Sequence, residues 1–220
     1  MATAASPTRT LGPIDLPRPI ADRAASLHDA VANRRTIREI ATTALTLDEL
    51  SNLLWTACGV NREPGPFGVP GRTAASASNS QEIDLYVAIE EGVYLYNALT
   101  HRLDPVVSGD LRSLAVNSRQ RVESLAPVQL IYVVDLRRLT HTSGFDEPGL
   151  HDPEVQKSYY FVDTGIIAGN VYLFAAAHRM AAWFHNCERQ ALATSLGLHP
   201  EQRVLFAQSV GWPLREEPTL

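Results

Sequence analysis

Three guanidinium groups and a hydroxyl fall within five consecutive positions, Arg34-Arg35-Thr36-Ile37-Arg38. A phosphate monoester carries nearly two negative charges and three acceptor oxygens, which forked guanidinium donors satisfy in pairs. Arg34, Arg35, Thr36 and Arg38 are therefore candidate phosphate ligands. Residue type alone favours a plainer reading, a solvated Arg-rich helix end paired with Glu39 or an Asp. A second stretch, Arg72-Thr73-Ala74-Ala75-Ser76-Ala77-Ser78-Asn79-Ser80-Gln81, stands immediately before a predicted strand. Its small side chains let a flat ligand approach the backbone, and Asn79 and Gln81 offer both donors and acceptors. Ser76, Ala77, Asn79 and Gln81 are its candidate contacts; by themselves they make an ordinary polar loop just as well.

Other chemistries leave no mark. No GxGxxG follows a predicted strand and no GxxxxGK[ST] occurs, which excludes the usual dinucleotide and P-loop sites. Neither HExxH nor a paired-cysteine motif signals zinc, and no GxSxG elbow signals a hydrolase. His141, Asp146, Glu147, His151 and Asp152 fit no ligand spacing of a helix or turn, so they read as loop residues rather than a metal site. His178 and His185 flank an apolar segment and read as core or ring-edge residues, as do Trp183 and Trp212. Tyr159 and Tyr160 suit a substrate mouth or an interface equally. A net charge of -5 argues against general nucleic-acid binding. Lys157 is the only lysine, so a phosphate site would be built from Arg. Cys58 and Cys187 stand apart, as isolated thiols do in a reducing compartment. With no signal-peptide core and no segment read as a membrane span, the expectation is a cytoplasmic protein.

The elements that must position these groups follow from spacing. Residues 1–20, rich in Ala, Thr and Pro, read as an extended arm able to lie across a partner subunit. A first helix is predicted over Ala21–Asn33. Thr46 to Glu49 forms a capping box, followed by Leu47, Leu50, Leu53, Leu54 and Ala57 at helical spacing until Gly59. Residues 60–82 read as loop. Ile83–Ile89 and Val93–Tyr96 read as a β-hairpin, Asp110–Leu125 as a short helix and Val128–Val134 as a buried strand. Residues 136–158 read as a long irregular segment of the kind that serves as a lid. Asp163–Arg179 is apolar nearly all round, which predicts a central helix packed on its twin in a dimer. Ala181–Phe184 reads as a strand, Gln190–Leu196 as a helix closed by Gly197, and Arg203–Val210 as a last strand. Nothing divides 21–220, which reads as a single domain. Without regular βαβ alternation the fold class is α+β with a mostly antiparallel sheet.

Taken together, these stretches resemble the nitroreductase superfamily. Its members carry an Arg-Arg-Ser-x-Arg start, a Pro-Ser-Ala-x-Asn-x-Gln loop, a helix opening near Asp-x-Gly and a closing strand that runs into Gly-x-Pro. The counterparts here are Arg34-Arg35-Thr36-Ile37-Arg38, Ala75 to Gln81, Asp163-Thr164-Gly165 with Asn170, and Gly211-Trp212-Pro213. The stretches LSNLLWTACGVNR and EGVYLYN resemble the branch that includes the thiazoline/oxazoline dehydrogenases of peptide biosynthesis. The likeness spans about residues 26–215.

That resemblance implies a nitroreductase-like fold, a sheet flanked by helices in an intertwined homodimer with FMN between the subunits. Arg34, Arg35, Thr36 and Arg38 would hold the flavin phosphate, ribityl chain and pyrimidine edge. Ser76 and Asn79 would reach the flavin from the other subunit, Ala77 and Gln81 would join the cofactor site, Gln120 would touch the ring, and Arg215 would add a phosphate contact. No protein acid, base or nucleophile is required. FMN would pass a hydride equivalent from NAD(P)H to a nitroaromatic, quinone or similar acceptor in a ping-pong cycle. Arg34, Arg38 and the backbone of Phe184–Asn186 would stabilise the reduced ring. Ala75 replaces the usual Pro, Gly169 a frequent Gln, and Arg179-Met180 a common Gly-Leu. These departures leave open an azoline-oxidase-like dehydrogenation of a small molecule or peptide, and non-catalytic flavin binding.

Overall fold

Alternation along one strand organises the molecule. In β7 (Val128–Asp135) all eight residues are buried. Val128, Leu130, Tyr132 and Val134 face one hydrophobic layer, and Ile131 and Val133 face the other. A strand covered on both sides is apolar at most positions, which is why it reads as a near-continuous run. The computed structural model describes residues 10–20, 26–120, 122, 124–141 and 151–215.

Seven antiparallel strands form the sheet in the order β1 (Ile14–Asp15), β6 (Arg102–Ser108), β5 (Gly92–Asn97), β4 (Ile83–Ile89), β7, β9 (Gln202–Gly211), β8 (Ala181–His185). Tyr132 of β7 stands opposite Leu85 of β4 and Phe206 of β9. The first layer is completed by α2 (Leu47–Cys58) and α5 (Pro153–Ala177), which bury Leu53, Leu54, Ala57, Ile167, Val171 and Phe174. The second layer holds α3 (Arg112–Ala115) and α6 (Arg189–Ser195), with Ala115 and Leu192 fully buried. Each fully buried Leu, Ile or Val contributes about 1.5–3 kcal/mol. The expected α+β fold, a mostly antiparallel sheet flanked by helices, is what the chain adopts.

The capping box of α2 forms as expected: Thr46 Oγ1 accepts the Glu49 N–H, and the Glu49 carboxylate accepts the Thr46 N–H. α1 (Leu27–Asn33) has an equivalent box between Ser26 and Asp29. The first turn expected from Ala21 lies outside the described residues, as do residues 1–9 of the expected arm. Residues 14 and 15 add β1 to the edge of their own sheet, and the Ile20 N–H donates to Asn52.

Several expectations are corrected. The helix expected over 110–125 is confined to α3, because the chain beyond it turns back to β8. There the Asn117 N–H donates to Asn186 O at 3.3 Å, and the Ser118 N–H to Glu188 at 2.6 Å. The long irregular segment is largely helical where it is described. Asp135 caps α4 (Leu136–Thr140), and α5 begins at Pro153, ten residues before the expected start. Pro153 is compatible with the first turn of a helix, and Asp152 accepts the Glu154 N–H there, so the proline initiates rather than breaks. Residues 142–150 lie outside the described set. Strand β6 was not expected; its Pro105 sits where the β5–β6 register shifts, near the sheet edge. Within the expected loop 60–82, β2 (Val60–Arg62) and β3 (Gly71–Arg72) pair as a small ribbon. By length and hydropathy α5 could cross a membrane, contrary to expectation; 44% of that apolar stretch is buried inside the fold.

Candidate functional site

The segment 34–41 leaves α1 and runs extended beside β8 and the end of β9. The Ile37 N–H donates to Ala182 O at 3.1 Å, the Ala41 N–H to Trp212 O at 2.8 Å, and the Leu214 N–H to Glu39 O at 2.9 Å. Ile40 bridges Pro213. Ile37 and Ile40 pack into a small core with Ala126 and Ala181. That anchoring leaves Arg34 and Arg38 exposed. The Arg34 guanidinium carbon lies 5.6 Å from the centre of the Tyr172 ring, and that of Arg38 5.8 Å from the Trp183 ring. Among the described residues neither has a carboxylate partner within salt-bridge distance. Between them, Thr36 Oγ1 stands 3.1 Å from Tyr172 Oη, which accepts the Phe184 N–H at 2.9 Å. Arg35 Nε donates to Asn33 O at 3.4 Å.

Among the described residues, the expected solvated pairing with Glu39 is thus made by neither Arg34 nor Arg38. Arg215, remote in sequence, lies 3.8 Å from Glu39 and is largely exposed. The structure therefore gathers Arg34, Thr36, Arg38 and Arg215 around one edge of the sheet. Gln120 joins the same end through the Asn117 turn: its side-chain oxygen accepts the Asn117 N–H at 3.1 Å, and Asn117 bonds Asn186 just after β8.

The Ser76–Gln81 loop sits elsewhere on the chain. Its left-handed residues Ser78, Asn79 and Gln81 (φ 48, 55 and 52°) are held by short-range bonds. Ser76 Oγ accepts the Gln81 N–H at 3.0 Å, and the Gln81 amide donates to Pro70 O at 2.7 Å and to the Asn79 oxygen at 2.9 Å. Asn79 Nδ2 donates to Pro66 O and Val69 O. The carboxamides that looked available to a ligand thus spend their donors tying down residues 66–70. A cavity of about 720 Å³ opens beside them, lined by Phe67, Val69, Asn79, Gln81, Arg137 and His141. Arg137 forks onto Asp135.

The loop is anchored to α5 by the Ala77 N–H, which donates to Asp163 at 3.1 Å, whereas Thr36 is anchored to α5 at Tyr172. Nine residues of helix separate the two anchors, about 13.5 Å along the axis. One chain does not bring its arginines and its Asn79 loop together.

Sequence reasoning missed Tyr172, Glu82 and Asp163 as site-builders. Glu82 is fully buried and Asp163 nearly so, and burial, with Glu82 close by, pushes the Asp163 carboxyl up to about 7. Their signal was ionisable side chains bordering apolar runs; Tyr172 gave none. The expected core reading of His185 holds: it is buried, bonded to Asn186 O and Ser209, and its burial holds the imidazole below its ordinary value.

A sequence profile of the nitroreductase family matches residues 31–212. The chain belongs to the nitroreductase family. It is 32% identical over 161 residues to a protein of Methanocaldococcus jannaschii provisionally named a nitroreductase, covering 69% of this chain and 73% of that one. Among solved structures it resembles a nitroreductase-like protein of Ralstonia eutropha JMP134 with a TM-score of 0.80 and 28% identity, over 96% of this chain and 93% of the other. The NADPH:FMN oxidoreductase of Vibrio harveyi, solved with NAD+, shares the fold with a TM-score of 0.57 and 18% identity, over 87% and 72%. So does a chain of the Escherichia coli microcin synthetase McbBCD complex, with a TM-score of 0.64 and 17% identity, over 81% and 68%. Family membership makes this nitroreductase-family protein an oxidoreductase.

Proposed function

We propose that the protein is an FMN-dependent oxidoreductase of the cytoplasm that works as a homodimer and passes reducing equivalents from NAD(P)H to a nitroaromatic, quinone or similar acceptor. The observation that carries this reading is the pair of exposed guanidiniums of Arg34 and Arg38, flanking the Thr36 hydroxyl and lacking carboxylate partners among the described residues. The donor chemistry fits a phosphate monoester with a polar tail: two forked cations, a hydroxyl and a rigid backing of Tyr172 and β8. Arg35 and Arg215 supply further positive charge at the same edge. When bound there, FMN would supply two-electron transfer between nicotinamide and acceptor.

The chain's own part is binding, orientation and electrostatics. Arg34 and Arg38 would neutralise negative charge on the reduced ring, and the backbone after Phe184, fixed by Tyr172 and by His185, would offer N–H donors. Gln120 would border the ring from the Asn117 turn. Ser76, Ala77, Asn79 and Gln81 would approach from the second subunit, which their distance from Arg34 on one chain supports. The dimer reading draws on α5, where Phe161 and Val162 are exposed and a Cβ at Gly165 or Gly169 would meet nothing within 4 Å. An apolar helix face with this much open space suits a second helix.

The test is a visible spectrum of the protein mixed with FMN, followed by anaerobic NAD(P)H titration. Flavin fluorescence that changes on mixing, and absorbance that bleaches with NADPH or NADH, support the reading. Unchanged flavin fluorescence overturns it. Bound flavin indifferent to nicotinamides would favour the alternatives, azoline-oxidase-like dehydrogenation or non-catalytic flavin binding.

A further inference from the structure

Two carboxyl side chains meet beneath the Ser76–Gln81 loop in a region closed to solvent. Glu82, at the entrance to β4, is completely buried; one of its oxygens accepts the Ser80 hydroxyl at 2.5 Å and the other has no hydrogen-bond partner. Asp163, two turns into the buried part of α5, is 4% exposed and accepts the Ala77 N–H at 3.1 Å. The two carboxyls line the same small cavity. Both hold the same loop, one through Ser80 and one through Ala77. Two ionised carboxylates on one small cavity, away from water, repel, whereas one shared proton turns repulsion into a hydrogen bond.

We propose that Glu82 and Asp163 form a proton-sharing latch that fastens the Ser76–Gln81 loop while one carboxyl is protonated and loosens it when that proton passes to solvent. In the closed state Asp163 donates its proton to Glu82 while its other oxygen keeps the Ala77 N–H. Loss of the proton removes the carboxyl–carboxyl bond and leaves two like charges facing each other. The loop is poised to respond, since Ser78, Asn79 and Gln81 sit in left-handed backbone that costs energy to hold.

The surroundings do not silence the pair. Arg72 of β3 and Cys58 of α2 border the same small cavity, with Ala74, Ser76 and Ile167 completing its walls. Burial pushes the Cys58 thiol up to about 11, so it stays neutral through the relevant range. Arg72 is the one cation among the described residues that line that cavity. Desolvation and the Glu82 charge together lift Asp163 to about 7, which sets the working window near neutrality.

The latch itself does not depend on a ligand; its consequence for flavin rests on the reading that this loop faces the ring. The experiment uses the flavin-free protein. Infrared difference spectra across pH 5.5–8.5 should contain a protonated-carboxyl C=O band that disappears with a midpoint near 7 and is missing in Asp163→Asn. Amide exchange of residues 74–81, corrected for intrinsic rates, should accelerate across the same range in the wild type and stay flat in Asp163→Asn. If that variant does not fold, Glu82→Gln and the wild-type infrared titration decide. Absence of a titrating carboxyl band, or equal pH dependence of exchange in wild type and variant, overturns the latch. A parallel FMN titration separates the two ideas: exchange that switches without FMN binding retains the latch and removes the flavin reading, and FMN binding without the switch does the reverse.

Discussion

Tyr172 Oη stands 3.1 Å from Thr36 Oγ1 and at the same time accepts the Phe184 N–H at 2.9 Å. One phenol thereby fixes the segment of the arginine cluster to the outer edge of β8. Tyr172→Phe leaves the Phe184 N–H without its acceptor, at a cost of about 1–3 kcal/mol. The expected result is a lower Tm by several degrees together with weaker FMN retention, read by differential scanning calorimetry and flavin fluorescence. A variant with wild-type Tm and affinity would show that the phenol fixes nothing.

Arg34→Ala and Arg38→Ala should each weaken FMN binding by about ten- to a hundredfold, the size expected for losing one charge-assisted bond to phosphate. Their stability should change little, because both side chains are exposed and, among the described residues, lack carboxylate partners. Arg38→Lys should restore only part of the loss, since an ammonium cannot fork. Titration against FMN fluorescence measures all three.

Gly169→Leu tests the dimer. A Cβ at this position meets nothing within 4 Å of the same chain, so a lone subunit should tolerate the change. A dimer packed along α5 should dissociate or weaken. Sedimentation velocity at micromolar concentration is expected to give a dimer for the wild type and monomer for the variant; a wild-type monomer would refute the proposed assembly.

Burial holds the His185 imidazole below its ordinary value. The unfolded chain therefore takes up a proton more readily than the folded one. Stability contributed by neutral His185 is complete above the unfolded value, near pH 6.5, and is lost as pH falls below it. Urea unfolding at pH 7.5 and 5.5 should show a drop for the wild type that shrinks in His185→Asn. An identical drop in both would exclude this group as its source.

Thr46→Ala removes one half of the α2 capping box and should cost about 1 kcal/mol, lowering the urea midpoint. FMN affinity should be unchanged, since the capping bonds of Thr46 and Glu49 reach none of the proposed ligands.

What was legible in the sequence was whatever depends on local periodicity. The capping box of α2, the β4–β5 hairpin and the double-sided apolar run of β7 were all readable, because neighbours along the chain supply the evidence. Pro153 misled because its effect depends on position within a turn, and only the cap at Asp152 reveals that position. Strand β6 went unread, and the register shift at Pro105 opposite Tyr94 exists only once the sheet is built. At the candidate site the arginines were readable as an anion-binding group, yet Tyr172, which orders them, lies 136 residues from Thr36. Asn79 and Gln81 were read as ligand contacts from their chemistry. Their donors also close a turn at residues 66–70, a use that no spacing rule encodes.

Strand β9 inserts between β7 and β8, so neighbours separated in sequence are joined only by the arrival of residues 202–211. During synthesis β7 must wait with one edge bare until those residues leave the ribosome. A bare apolar edge is a template for pairing with the wrong chain. Assembly of this sheet is therefore a late and long-range event, and the nascent protein has a built-in need for shielding that the finished one has lost.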